Sequence, residues 1–139
     1  MTWTQAETVV LSSLVSALTT AGMVDVNSST AKSSDCLFAR DFLDNKALQK
    51  GKSFCIYSPL PEDWSESADN SKIYRSVSSS VWIATTASPK NSKVISLREA
   101  FESSSEKEGF RVKFIQSGFD DSTKLYVFEY KLVKEIADA

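Results

Sequence analysis

The chain contains no histidine, and that absence removes more chemistry than any other feature of its composition. Without imidazole the commonest general base is gone, along with the serine and cysteine triads that rely on it and the mixed Cys/His zinc sites. Cysteine is nearly as scarce. Cys36 and Cys55 form no Cys-x-x-Cys pair, and each sits among apolar neighbours, Leu37-Phe38 and Phe54-Ile56, so both read as buried thiols packing as small hydrophobes. The four glycines, Gly22, Gly51, Gly109 and Gly118, are isolated at expected caps and turns, which rules out a glycine-rich phosphate loop. No hydrophobic run is long enough to cross a bilayer. The nearest, Thr8 to Gly22, is interrupted by Ser12, Ser13, Ser16, Thr19 and Thr20. The start, Met1-Thr2-Trp3-Thr4-Gln5-Ala6-Glu7, lacks the positive charge of a secretory signal, so a cytoplasmic protein is expected. Neither sign of charge dominates: 16 basic and 18 acidic residues are mixed along the chain. No basic stripe marks a nucleic-acid partner, and no membrane partner is expected.

What remains is ordinary for a globular domain, with 139 residues, 42% hydrophobic and 24% charged. A chain of this size buries roughly 68% of its unfolded surface and needs no disulfide or metal staple. One domain over residues 1–139 is expected, organised around the stretch from Ser71 to Gly109. Within a strand over 72–86, Ile73, Val77, Val81 and Ile83 share one parity, while Tyr74, Ser76, Ser78, Ser80 and Trp82 share the other. That alternation predicts a strand with one buried face. Through Ala87-Ser88-Pro89 it feeds a helix over 92–108, with Val94, Leu97 and Phe101 as its apolar stripe and Ile95 as a further candidate for it, Ser88, Asn91 or Ser92 as its cap and Gly109 as its end.

A first helix is expected over 4–21, opened by a capping box between Thr4 and Glu7, with Val10, Leu11, Leu14, Ala17, Leu18 and Ala21 on one face and Gly22 ending it. Its outer face is serine and threonine with no charge after Glu7, so packing rather than propensity must hold it. Asn27 to Asp35 reads as a surface loop. Residues 36–42 match both strand and helix templates, with strand preferred, and 53–58 is a strand ended by Pro59 and Pro61. Leu60 to Asn70, acidic around a single Trp64, reads as a long loop. Strands over 110–117 and 123–134 close the chain as a hairpin through Ser117 to Ser122, followed by a short tail. Phe110, Val112 and Phe114 are expected inward, and Arg111 and Lys113 outward. The expected fold is α+β, a mostly antiparallel sheet of four or five strands with two helices packed on one face.

No catalytic, cofactor-binding or metal-binding set emerges, and the protein is not expected to be an enzyme. The carboxylate pairs Glu62-Asp63 and Asp120-Asp121 read as solvated turn formers, and the charge run from Glu99 to Glu108 as the wet face of the second helix. A sheet-based nucleic-acid surface would draw on Arg111, Lys113, Tyr126, Tyr130 and Lys131, but acidic neighbours weaken it. The candidate interaction residues are Glu62, Asp63, Trp64, Trp82, Phe119, Asp120 and Asp121, since tryptophan is enriched among interface anchors and apolar groups in acidic turns are unusual.

The order of elements resembles the tail-terminator and head-to-tail joining proteins of long-tailed bacteriophages. The residues that carry the resemblance are the helix Val9 to Ala21, the strand Ser79-Ser80-Val81-Trp82-Ile83-Ala84-Thr85 leading to the helix Val94 to Glu106, and the closing strand Leu125 to Val133. Two departures are the tryptophan preceding the isoleucine in that strand and the length of the segment Cys36 to Lys50. The resemblance implies a non-enzymatic ring, usually a hexamer, located at the head-tail junction of the virion and assembled in the host cytoplasm. Its partners would be other copies of itself, the tail tube protein and a connector or stopper protein. The competing expectations are a monomeric inhibitor- or immunity-type module that offers an acidic loop to a basic partner, and a hydrolase or transferase using carboxylates alone.

Overall fold

The computed structural model describes residues 2–40, 53–58, 63–69 and 72–138. Helix α1 spans Trp3–Thr20 and helix α2 spans Ser92–Lys107. The capping box of α1 is set two residues earlier than Thr4. Thr2 accepts from the Gln5 amide at 3.1 Å, and the Gln5 side chain accepts from the Thr2 amide at 2.8 Å. Gln5 does from this position what a glutamate does in the expected box. The earlier start brings Trp3 into the helix, where its ring lies 5.2 Å from the Arg75 guanidinium. At the other end Gly22 adopts φ +95°, and the amides of Gly22 and Met23 return to the carbonyls of Thr19 and Leu18. Helix α2 begins at Asn91, whose side chain accepts from the Lys93 amide at 2.9 Å, and ends at Gly109 with φ +89°.

Seven strands form one sheet among the described residues: β1 Val24–Asp25, β2 Cys36–Ala39, β3 Ser53–Tyr57, β4 Asp63–Asp69, β5 Lys72–Thr85, β6 Phe110–Asp120 and β7 Leu125–Asp138. The spatial order is β1-β2-β3-β5-β7-β6, with β4 also paired to β5. The α+β class with a largely antiparallel sheet is as expected, but four or five strands is too few. The extra strands are β1, which pairs in parallel with β2, and β4. Asp63–Asp69 is thus a strand and not part of a long loop. β5 is long enough to seat two partners along one edge, β3 opposite Val81 to Ala84 and β4 opposite Lys72 to Ser78. The open backbone groups of that lower half recruit a polar segment that propensity alone would leave irregular.

β2 and β3 run parallel, which obliges the chain to cross back to the same end of the sheet. That accounts for the length of the connection after Ala39. Of the strand expected over 36–42, Arg40 is already past the end of β2, and positions 41 and 42 lie outside the described residues. At the far edge β6 extends to Asp120 and β7 to Asp138, so the hairpin turn is Asp121 to Lys124 rather than Ser117 to Ser122, and residues 135–138 are strand rather than tail. The Asp120 carboxylate accepts from the amide and hydroxyl of Ser122, and Lys124 adopts φ 60° to close the turn.

Both helices lie on the face formed by Val77, Val81 and Ile83 of β5 and Phe128, Tyr130 and Leu132 of β7, all fully or almost fully buried. Phe101 of α2 meets the Tyr130 ring edge-on, with centroids 5.1 Å apart. The helices touch through small residues, and the buried Ser104 hydroxyl donates to the Ala17 carbonyl at 2.8 Å. A smaller cluster, Ala31, Leu37 and Phe54, fills the opposite face at the β1–β3 corner. Cys36 and Cys55 are free and buried in neighbouring strands.

Burial pushes the Cys36 thiol up to about 12, with the nearby Asp35 carboxylate adding to the rise, and holds Cys55 well above its ordinary value. Such thiols stay protonated in the fold but ionise on unfolding from about pH 8.5, so stability is full below that pH and declines as pH rises toward the folded values. Denaturant midpoints are expected to be lower at pH 10.5 than at pH 8, and Cys36→Ala to narrow that difference; an unchanged difference would refute the account. Ser79 is fully buried on the helix side, and its hydroxyl has no hydrogen-bond partner among the described residues. Ser79→Ala is expected to raise stability by about 1 kcal/mol in urea denaturation, because an unpaired buried hydroxyl costs desolvation without return. A loss of similar size would show that the hydroxyl is satisfied.

Candidate functional site

The candidate residues divide between the two ends of the sheet. Asp63 and Trp64 open β4, opposite Ser78 and Val77. Glu62 lies outside the described residues. Trp82, Phe119 and Asp120 come together at the β5–β7–β6 end, where they line a shallow depression of about 340 Å³ with Gln116, Val127 and Glu129. Asp121 begins the adjoining turn and is exposed.

Strand parity builds this depression. Trp82 pairs with Ile56 on one side and Glu129 on the other, and Glu129 pairs with Gln116, so one row crosses four strands on the face away from the helices. The Trp82 indole donates to the Glu129 carboxylate at 3.2 Å. A β-bulge between Phe114 and Gln116 shifts the register there, placing Gln116 rather than Ile115 in that row. Phe119 returns to the helix side and packs on Tyr126 with centroids 4.8 Å apart, yet it remains 47% exposed. Hydrogen bonds from Ser122 hold the Asp120 carboxyl below its ordinary range, which suits a turn residue kept ionised at neutral pH.

Sequence reasoning passed over Phe114 and Ile115. Among the described residues the exposed large apolar side chains are Val9, Ile95, Phe114, Ile115 and Phe119, and three of these five lie on β6. Phe114 was expected inward, and its parity is correct, but on this edge strand the core does not close over it and it stays 45% exposed. It rests instead on Tyr130 at 5.3 Å and on the Arg98 guanidinium at 4.9 Å. Arg98 also lies 4.3 Å from the Phe128 ring and donates to the Tyr130 hydroxyl at 2.7 Å. Burial raises the Tyr130 pKa, and the hydrogen bond from Arg98 opposes that rise. The nucleic-acid arrangement does not form. Arg111, Lys113 and Lys131 occupy rows on the open face, whereas Tyr126 and Tyr130 stand on the helix side.

The chain matches no family model and no curated protein. Its candidate site must be read from geometry alone. Among the described residues no group of three His, Cys, Asp or Glu side chains is placed to hold a metal ion, and no helix is long and apolar enough to cross a membrane. A second groove of about 580 Å³ runs between the serine-rich flank of α1, including Ser12 and Ser16, and Tyr57 of β3.

Arg98 is the link that fixes β6 against α2. Arg98→Ala is expected to cost about 1–3 kcal/mol and to speed amide exchange over residues 112–116 more than in α1. Uniform exchange in the variant and the parent would show that Arg98 does not secure this edge.

Proposed function

We propose that this protein is a ring-forming structural subunit of the head-tail joint of a long-tailed bacteriophage, ending growth of the tail tube and joining it to the connector. The observation that carries the reading is a sheet with two unlike free edges, β6 on one side and β4 with β1 on the other, among the described residues. Unlike edges favour head-to-tail contacts, and such contacts form a ring when the rotation between copies closes. Three exposed large apolar side chains on one edge strand also call for a cover, since an open edge of that kind is an aggregation hazard. The strand-to-helix unit that carries the family resemblance lies at the centre of this sheet, with Trp82 on its open face.

In this reading the partners are other copies of the chain, the tail tube protein and a connector or stopper protein. The subunit is assembled in the host cytoplasm, resides in the virion and requires no cofactor or catalytic group. Light scattering over a dilution series, followed by negative-stain imaging, is expected to give rings of about six copies of the 15.4 kDa chain. The rings are expected to bind one end of purified tail tubes. A chain that stays monomeric at every concentration and ignores the tubes would overturn the reading and favour a monomeric module that presents acidic β4 to a basic partner.

A further inference from the structure

We infer that β4 of one copy pairs with β6 of the next, extending the sheet from subunit to subunit. The inference rests on the ring proposed above and names its contact. β4 has seven residues and β6 eleven, extending about 24 Å and 37 Å. Among the described residues each pairs on one side only, β4 with β5 and β6 with β7. On its other side each therefore has, among the described residues, no strand partner for its backbone donors and acceptors.

Direction and charge both fit the match. β4 is antiparallel to β5, β5 to β7 and β7 to β6, so β4 and β6 point in opposite directions. Copies set side by side with their helices on the same side then bring β4 against β6 in antiparallel order. β4 carries Asp63 and Asp69 in the open-face rows of Ser78 and Lys72, with no basic residue, while its third acid, Glu66, is in register with Arg75 on the helix side. The half of β6 before its bulge carries Arg111 and Lys113, both exposed, with no acidic residue. Pairing β4 with a second β4 would set carboxylates against carboxylates, whereas β4 against β6 sets opposite charges across the strands. The exposed Phe114 and Ile115 lie just beyond the two basic residues, where a neighbour on this edge would cover them.

Paired charge reversals test the contact. Arg111→Glu with Lys113→Glu reverses one edge, and Asp63→Lys with Asp69→Lys reverses the other, with circular dichroism as the check on folding. Each variant alone is expected to fall from ring mass to monomer mass. An equimolar mixture is expected to regain rings, because alternating copies restore opposite charges at every contact. Rings that persist in each variant alone would overturn this contact and leave the ring reading intact. A natural chain that is monomeric at every concentration would overturn both. A dimer insensitive to Asp63→Lys with Asp69→Lys would overturn the contact in favour of β6 against β6. If a reversal prevents folding, Lys113→Cys combined with Ser65→Cys or Ser67→Cys replaces it. Mild oxidant should then give a ladder ending at ring mass in the double variants and none in the single ones, the native thiols being buried. No ladder in either double variant would overturn the contact.

Discussion

The pairing of β5 with β7 is the constraint on which the rest of the structure depends. It runs unbroken from Ile73 opposite Asp138 to Thr85 opposite Tyr126. Because side chains alternate with period two, this register sorts every residue of both strands at once, and a slip of one residue would exchange the two faces. Val81 and Tyr130 enter the core together, while Trp82 and Glu129 meet on the opposite face. The same pairing makes β5 longer than any one neighbour on its other edge, and β3 and β4 divide that edge between them.

A few polar tethers then decide how far the helix layer reaches. Lys134, in the middle of β7, donates to the Glu108 carbonyl at the end of α2 and to the Ser13 hydroxyl of α1 at 3.1 Å. Its ammonium group satisfies a helix C-terminus and holds both helices to one strand. Gly109 makes room for it, since an added Cβ would lie 3.3 Å from the Lys134 Nζ on a backbone with φ +89° that side chains disfavour. Phe110, beside the end of α2, is buried, whereas Phe114, Ile115 and Phe119 farther along the edge strand β6 are exposed.

These two features give the proposed function its physical form. One face of the sheet is committed to the helices, so association falls to the open face and the two edges. The edges differ in length, charge and apolar content, and the proposed head-to-tail contact rests on that difference. Trp82 and Glu129 satisfy each other on the open face and offer a firm, half-buried centre for whatever that face meets.

Local periodicity was legible throughout. The alternation of β5, the stripes of α1 and α2, the glycines ending both helices and the burial of both cysteines follow from the chain's own geometry, because 3.6- and 2-residue repeats place side chains without reference to any partner. The α+β class was readable on the same ground. β4 was not, because Asp-Trp-Ser-Glu-Ser-Ala-Asp has little strand propensity and becomes a strand only when the free backbone groups of β5 lie beside it. Neither the separation of Tyr126 and Tyr130 from Arg111 and Lys113 nor the exposure of Phe114 could be read from one strand at a time. The first depends on the register across β5, β7 and β6, and the second on the place of β6 at the edge of the sheet. The sequence by itself determined which residues favour the core and where the helices begin and end, whereas only the tertiary structure decided which edges stay open, since an edge is defined by the neighbour that is missing.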